Sequence, residues 1–215
     1  MAILPEYLNC QMLNLLFDFD GTLINSKPRL YFLFQELVTE SFLSFDEYWQ
    51  LKKNRVGHNE ILANKFNYSE RRILSFIQKW NSEIEQPSWL RFDQPFPKID
   101  ELLLDLYGKH HLYLVTNRQS ELSVLSQLEY FGWKSYFKKI LVTGQKYSKV
   151  EMVRGLIDLK PIDWMVGDTG RDILDGKELG LKTAAVLTGF LSEEKLKEYN
   201  PSIMLNSAID IIEYL

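Results

Sequence analysis

Short apolar runs recur along the chain and stop abruptly at polar side chains, at residues 15–17, 112–115, 140–142, 164–166, 183–186 and 203–205. Their length and flanking residues suit buried β-strands. Between them the apolar spacing becomes helical: Leu102, Leu103 and Leu106 lie within residues 101–107, and Leu122, Leu125, Leu128 and Phe131 within residues 121–131. Strands that alternate with helices predict a parallel sheet covered on both faces, because each crossover must return the chain to the same end of the sheet. Ligands in such sheets sit at the carboxyl ends of the strands, so the residues after each apolar run are where chemistry is expected.

Residues 27–95 break the alternation and read as helix after helix. Ser69 is placed as an N-cap, and Ile73, Ile77, Trp80 and Ile84 follow it along one helical stripe. Pro87, Pro95 and Pro97 punctuate the return. The pattern predicts an all-helical lobe (27–95) inserted in a core made of residues 1–26 and 96–215. Leaving just after the first strand, such a lobe would lie over the strand ends, where it could exclude water or select substrates. Arg55, Gly57 and His58 interrupt its helices and are candidates for a loop dipping toward the site. Each also has an ordinary reading, as a surface arginine, a helix-ending glycine and a solvated or capping histidine. The lobe's aromatics, among them Tyr31, Phe32, Phe34, Tyr48 and Trp49, read as packing.

A chain of 215 residues with a formal net charge of -4, 46% hydrophobic and 25% charged, can bury one substantial core and a smaller second one. That charge balance argues against a nucleic-acid partner. Cys10 is the only cysteine, so neither an internal disulfide nor a thiolate zinc site is expected, and a reducing, cytoplasmic location fits. Residues 1–12 lack the basic start and apolar stretch of a secretion signal, and no later run is long enough to span a bilayer. They read as an arm, or as a product of where the start codon was placed.

Candidate chemistry gathers where the apolar runs end. After Leu15-Leu16-Phe17 come Asp18, Phe19, Asp20, Gly21 and Thr22. Alternation puts both carboxylates on one side of the strand end, and Gly21 permits the turn that follows. Carboxylates held that close repel, and a bound divalent cation is one remedy. Residues 112–115 run into Thr116 and Asn117, whose hydroxyl and amide can donate to an anion. Ser148-Lys149-Val150-Glu151 has the form of a capping box, which puts Lys149 in a helix's first turn, where a cation is electrostatically out of place unless an anion faces it. Lys146 competes for that role. The run at 164–166 ends in Gly167-Asp168-Thr169-Gly170-Arg171-Asp172. Asp168 could complete a metal site with Asp18, and Asp172 could orient the loop or hold a metal-bound water.

In this order, the DFDGT run at residues 18–22, Thr116, the basic residue near Lys149 and the GDTGRD run at residues 167–172 resemble the four motifs of the haloacid dehalogenase superfamily. The resemblance extends over nearly the whole chain. It implies an α/β fold, a Rossmann-like three-layer parallel-sheet core with an inserted all-helical cap of the kind found in phosphoglycolate phosphatase and beta-phosphoglucomutase relatives. It further implies a magnesium-dependent phosphatase acting on a small phosphorylated metabolite. Carried over to this chain, Asp18 is the nucleophile that forms an aspartyl phosphate, and Asp20 is the general acid and then base, with a pKa above that of Asp18. Mg2+ is held by Asp18, the backbone carbonyl of Asp20 and Asp168, while Thr116, the backbone at Asn117 and Lys149 hold phosphoryl oxygens. Gly21, Thr22 and Asp172 support them. The acid at position 20 distinguishes phosphoryl chemistry from carbon–halogen cleavage. A sugar phosphomutase and a silent phosphometabolite-binding relative are the alternatives; a receiver domain, whose acidic pair is adjacent in sequence, fits poorly. Arg118 is a candidate contact for an acidic or phosphorylated substrate group. Oligomeric state, monomer or small homo-oligomer, is left open.

Overall fold

The computed structural model describes residues 11–215; most of the leading segment, residues 1–10 with Cys10, lies outside the described residues. In chain order the elements are β1 (Asn14–Phe17), β2 (Ile24–Asn25), α1 (Lys27–Leu37), α2 (Phe45–Lys53), α3 (His58–Phe66), α4 (Glu70–Glu83), α5 (Pro87–Leu90), β3 (Gln94–Pro95), α6 (Ile99–Leu106), β4 (His111–Thr116), α7 (Glu121–Tyr130), β5 (Phe137–Val142), α8 (Lys149–Val153), β6 (Trp164–Gly167), α9 (Gly170–Glu178), β7 (Lys182–Val186), α10 (Glu193–Lys197) and β8 (Ile203–Leu205). Six of the strands form one parallel sheet in the order β5-β4-β1-β6-β7-β8. The parallel, helix-covered sheet expected from the alternation is the observed fold.

The strands are apolar throughout because both faces are covered, and their alternation sorts side chains between two layers. Leu15, Phe17, Leu112, Leu114, Trp164 and Val166 pack with α6 and α7. Leu16, Tyr113, Val115 and Met165 turn the other way, onto Val153 and Ile157. Each large apolar side chain buried this way contributes about 1.5–3 kcal/mol. At the amino end of the sheet, buried Asp163 accepts from the backbone and side-chain nitrogens of Asn14, both at 2.8 Å, tying β1 to the turn that enters β6. The carboxyl end keeps its polar groups for another purpose.

Helices α1 to α4 close around a separate apolar cluster that includes Phe34, Tyr48, Trp49, Ile61, Leu62 and Phe76. Ser69 caps α4 by accepting from Arg72 N, and Ile73, Ile77 and Trp80 face the cluster along the expected stripe. At the two ends of the helical interval the structure adds a short antiparallel ribbon that the sequence pattern did not show: Ile24 pairs with Pro95 and Asn25 with Gln94. Two-residue strands are too short to leave a periodic signature.

Helix α9 approaches the sheet so closely that a Cβ on Gly176 would stand 2.6 Å from Thr183 Cγ2 and 2.8 Å from Met165 Cβ. Gly176→Ala is therefore expected to destabilise the fold by about 1–3 kcal/mol in urea denaturation, despite alanine's better helix propensity. Unchanged or increased stability would show that α9 can back away from β6 and β7.

Candidate active site

Strand β1 delivers Asp18 to the carboxyl edge of the sheet, where its N–H donates to Val166 O at 2.9 Å. Phe19 turns back into the core, fully buried, and the amides of Leu23 and Ile24 close a tight turn by donating to Phe19 O at 3.0 and 3.1 Å. Gly21 sits at φ +81°, and a Cβ there would lie 2.5 Å from Asp168 Oδ2. Glycine meets two requirements at once, the left-handed backbone and the approach of a carboxylate. Asp168, from the turn after β6, accepts at Oδ2 from Phe190 N at 2.8 Å. Its Oδ1 is buried without a hydrogen-bond partner among the described residues. Thr22 is fully buried beneath the turn.

The carboxylates of Asp18, Asp168 and Asp172 each offer an oxygen within 4.8 Å of the others, and all three are buried. Asp172 caps α9, accepting from Thr169 N at 3.0 Å and Thr169 Oγ1 at 2.5 Å. Among the described residues the one cation between them is Lys149, whose Nζ donates to Asp18 Oδ1 and, at 2.6 Å, to Asp172 Oδ1. The Ser148–Glu151 capping box is present and puts Lys149 at the first position of α8. Lys149 is buried and lines the cavity, whereas Lys146 is exposed and does not line it. Burial pushes the Asp18 carboxyl up to about 7 against the pull of Lys149, with Asp172 adding to the rise. Asp168 is likewise raised, by burial and then by Asp18 and Asp172. Burial would depress Lys149, but Asp172 and Asp18 hold it above its ordinary value. Three acids against one ammonium leave the cluster short of positive charge, and an all-oxygen donor set with an unpartnered Asp168 oxygen fits a hard divalent cation.

Asp20 has a different environment. Arg118 donates through Nε to Oδ2 at 2.5 Å and through Nη2 to Oδ1 at 2.8 Å, while Arg29 Nη2 reaches Oδ1 at 2.5 Å. Behind them Asp93 lies 3.1 Å from both Arg29 Nε and Arg118 Nη2. Burial opposes ionisation of Asp20, but Arg118 and Arg29 overcome it and hold the carboxyl far below the usual range. The order expected from the sequence, Asp20 above Asp18, is thus reversed in this conformation. The guanidinium pair lies on Asp20, while Asp18 shares its single ammonium with Asp172.

Both acids open into a cavity of about 230 Å³, also lined by Thr116, Asn117, Lys149, Asp168 and Asp172. Thr116 is the last residue of β4, and Asn117 beyond it accepts from Thr143 Oγ1 at 3.2 Å. The far wall comes from the helical insertion: Arg29 and Leu30 of α1, and Trp80, Asn81, Ile84 and Glu85 from and just after α4. Arg55, Gly57 and His58 do not line it. Arg55 reaches Glu198 at 2.8 Å and stacks on Tyr199, and His58 Nε2 sits 2.7 Å from Tyr48 Oη inside the lobe. Arg29 and Asp93 went unnoticed in the sequence. Only Arg29 left a clue, a basic residue in a first helical turn with no acid beside it.

The family model described as haloacid dehalogenase-like hydrolase matches residues 15–186. Among curated relatives, the chain is 27% identical to pyrophosphatase PpaX of Halalkalibacterium halodurans over 92% of this chain and 94% of that protein. It is also 27% identical to phosphoglycolate phosphatase of Aquifex aeolicus, over 94% of this chain and 95% of the other. The solved haloacid dehalogenase-like family hydrolase of Streptococcus pneumoniae superposes with a TM-score of 0.77 at 21% identity, covering 94% of this chain and 98% of that one.

Removing the ammonium should expose the cluster's charge imbalance. Lys149→Met is expected to cost about 3–5 kcal/mol in chemical denaturation, since uncompensated carboxylates remain buried, and millimolar magnesium should recover part of the loss. A cost below about 1 kcal/mol, unaffected by magnesium, would mean that Lys149 does not neutralise the site.

Proposed function

The chain belongs to the haloacid dehalogenase-like hydrolase family, and we propose that it is a magnesium-dependent phosphatase working through an aspartyl phosphate on a small phosphorylated metabolite. The observation that carries this reading is Asp18 at the mouth of β1, beside an unpartnered Asp168 oxygen and opening into the cavity that also holds Asp20. The relatives named as a pyrophosphatase and a phosphoglycolate phosphatase both carry names for hydrolysis of a P–O bond, an anhydride in one and an ester in the other, which supports this reading.

Asp18 attacks phosphorus in line, forming the Asp18 Oδ–P bond as the bridging P–O bond breaks. Asp20 gives a proton to the departing oxygen, then takes one from the water that hydrolyses the aspartyl phosphate, so inorganic phosphate leaves and Asp18 is restored. To act as acid, Asp20 trades its guanidinium partners for a proton; the conformation with Arg29 and Arg118 closed on it is the resting one. Thr116, the backbone at Asn117 and Lys149 hold the remaining phosphoryl oxygens as charge shifts during transfer. Asp18, Asp168 and the backbone carbonyl of Asp20 would hold Mg2+, with Asp172 orienting Lys149. The metal supplies the positive charge that lets an anionic nucleophile approach an anionic substrate.

Residues 27–95 act as the cap over this site, and the described residues before and after them as the core. The cap contributes Trp80, Asn81 and Ile84 to the cavity wall. It also meets the core where Trp49 stacks on Phe190 at 5.4 Å and Lys27 Nζ donates to Thr188 O at 2.8 Å. Among the described residues no helix is long and apolar enough to cross a membrane.

A phosphate-release screen over phosphorylated metabolites should reveal activity that requires magnesium and is abolished by chelation. Asp18→Asn should lower turnover by about a thousandfold or more while the chain stays folded by circular dichroism; near-normal rates in that variant would overturn the assignment. Protons compete with the cation for Asp18, whose carboxyl sits at about 7. Magnesium affinity measured by calorimetry should therefore strengthen as pH rises through about 7, because below that point a proton must be displaced from Asp18, and Asp168, likewise raised by burial, adds to the same trend. A pH-independent affinity would place the metal elsewhere.

A further inference from the structure

We propose that the cleft between α5 and α7 is an effector site, taking a small, uncharged, mainly apolar molecule with one hydrogen-bond donor that slows the reaction by holding Asp20 in its resting ion pairs. The site is separate from the reaction cavity, and its effect on rate rests on the hydrolase reading above. The cleft encloses about 470 Å³ against about 230 Å³ for the reaction cavity, and no described residue lines both. Its walls are largely apolar: Pro87 and Leu90 come from α5, Leu122 and Tyr130 from α7, and Phe131 from the residue that ends α7. Leu122 is 76% exposed and Tyr130 85%, and with Ser126 midway between them they stand on one stripe of the helix. A volume of this size, with apolar walls and a few polar groups, is the make-up of a small-molecule site.

The chemistry of the occupant follows from two buried polar residues in the lining, Gln127 and Asp93. Gln127 Nε2 donates to Asp93 Oδ2 at 2.9 Å and to Leu90 O at 3.3 Å. Both partners are acceptors, which fixes the amide the one way round and leaves its oxygen as the open end. That Oε1 is buried with no hydrogen-bond partner among the described residues, on a side chain 7% exposed. A buried acceptor without a donor is costly, and a ligand N–H or O–H satisfies it. The two charged residues of the lining, Arg91 and Asp93, are opposite in sign, so the cleft presents no net charge for an ion to answer.

Gln127 and Asp93 also connect the cleft to the reacting groups. Asp93 Oδ2 accepts from Gln127 Nε2 and, at 3.1 Å, from Arg118 Nη2, and that same Arg118 nitrogen donates to Asp20 Oδ1 at 2.8 Å. A donor on Gln127 Oε1 polarises the amide and strengthens its N–H toward Asp93. Asp93 then competes less for Arg118, and the guanidinium stays with Asp20. Glu85, which lies close to both Arg29 and Arg118, is held by Gln119 N at 2.7 Å and Ser120 N at 2.9 Å and does not line the cleft. Because Asp20 must leave its guanidinium partners to act as an acid, a ligand that tightens their grip lowers turnover.

The test uses indole, an uncharged two-ring probe with one N–H, against 1-methylindole, which lacks it. In amide NMR titrations of the native chain, indole should shift the resonances of Leu122, Ser126 and Gln127 rather than those around Asp18, and bind about three- to tenfold more tightly than 1-methylindole, the worth of one hydrogen bond. Ser126→Trp, which puts bulk at an exposed position of the lining, should abolish those shifts and leave the rest of the spectrum in place. Indole should also slow hydrogen exchange at Arg118 Nε–H, which donates to Asp20 Oδ2. With magnesium and p-nitrophenyl phosphate, saturating indole should lower kcat of the native chain about two- to fivefold, while Ser126→Trp, compared with its own rate without indole, should not respond. Equal affinity for the two probes, or shifts centred on the reaction cavity, would overturn the site. So would a cleft that rejects indole because a second copy fills it, seen as a dimer in sedimentation that Leu122→Asp converts to monomer. Indole bound in the cleft with Arg118 exchange and kcat unchanged would overturn the effector role. Binding and exchange are read without turnover: if both respond as expected in a chain that hydrolyses no phosphate, the site stands and the hydrolase reading falls.

Discussion

Three carboxylates brought to the carboxyl edge of adjacent strands, with a single ammonium among them, set the terms for the groups around them. β1 and β6 are neighbours in the sheet, so Asp18 and Asp168 converge by topology rather than by any local sequence link. In a buried setting their mutual repulsion is poorly screened. The surroundings answer it in two ways. Lys149 occupies the first turn of α8 although a cation is unfavourable there, and Asp168 is accepted into a space that two glycines keep open, since a Cβ on Gly189 would fall 1.9 Å from its Oδ2.

Two residues along, the arithmetic of charge is different. Asp20 and Asp93 are matched by Arg29 and Arg118 in a buried network with one partner for every charge. Adjacent clusters, one deficient in cations and one balanced, push the two acids of a single short turn in opposite directions. Environments that separate like groups in this way are how one fold assigns them different tasks. The network also bridges the two parts of the chain. Arg29 stands in the first helix after the outgoing strand of the ribbon, and Asp93 immediately precedes the returning one.

Much of this was legible in the sequence because it rested on rules with a single physical cause. Apolar runs of strand length gave the sheet, helical stripes gave its covering layers, and Asp18 and Asp168 stood where apolar runs broke off. The capping box around Lys149 put that side chain in a place only a nearby anion explains. What escaped depended on pairings across the fold. Arg29 and Asp93 meet Asp20 only after the insertion closes, and Phe190 serves Asp168 through its backbone N–H, which no side-chain identity reveals. The middle of the lobe misled for a related reason: Arg55, Gly57 and His58 do interrupt the helices, but Arg55 binds the α10 region and His58 packs among Phe34, Phe76 and Trp80.

The ribbon that pairs Ile24 with Pro95 and Asn25 with Gln94 bears on how freely this architecture can be rebuilt. An excursion whose departure and return are clasped together leaves the register of the main sheet indifferent to its size. The entropy of closing such a detour grows only with the logarithm of its length, so enlarging, trimming or exchanging the helices beyond the clasp is thermodynamically cheap. The acidic edge of the sheet can stay fixed while the helices beyond the clasp are exchanged, without refolding the strands that carry it.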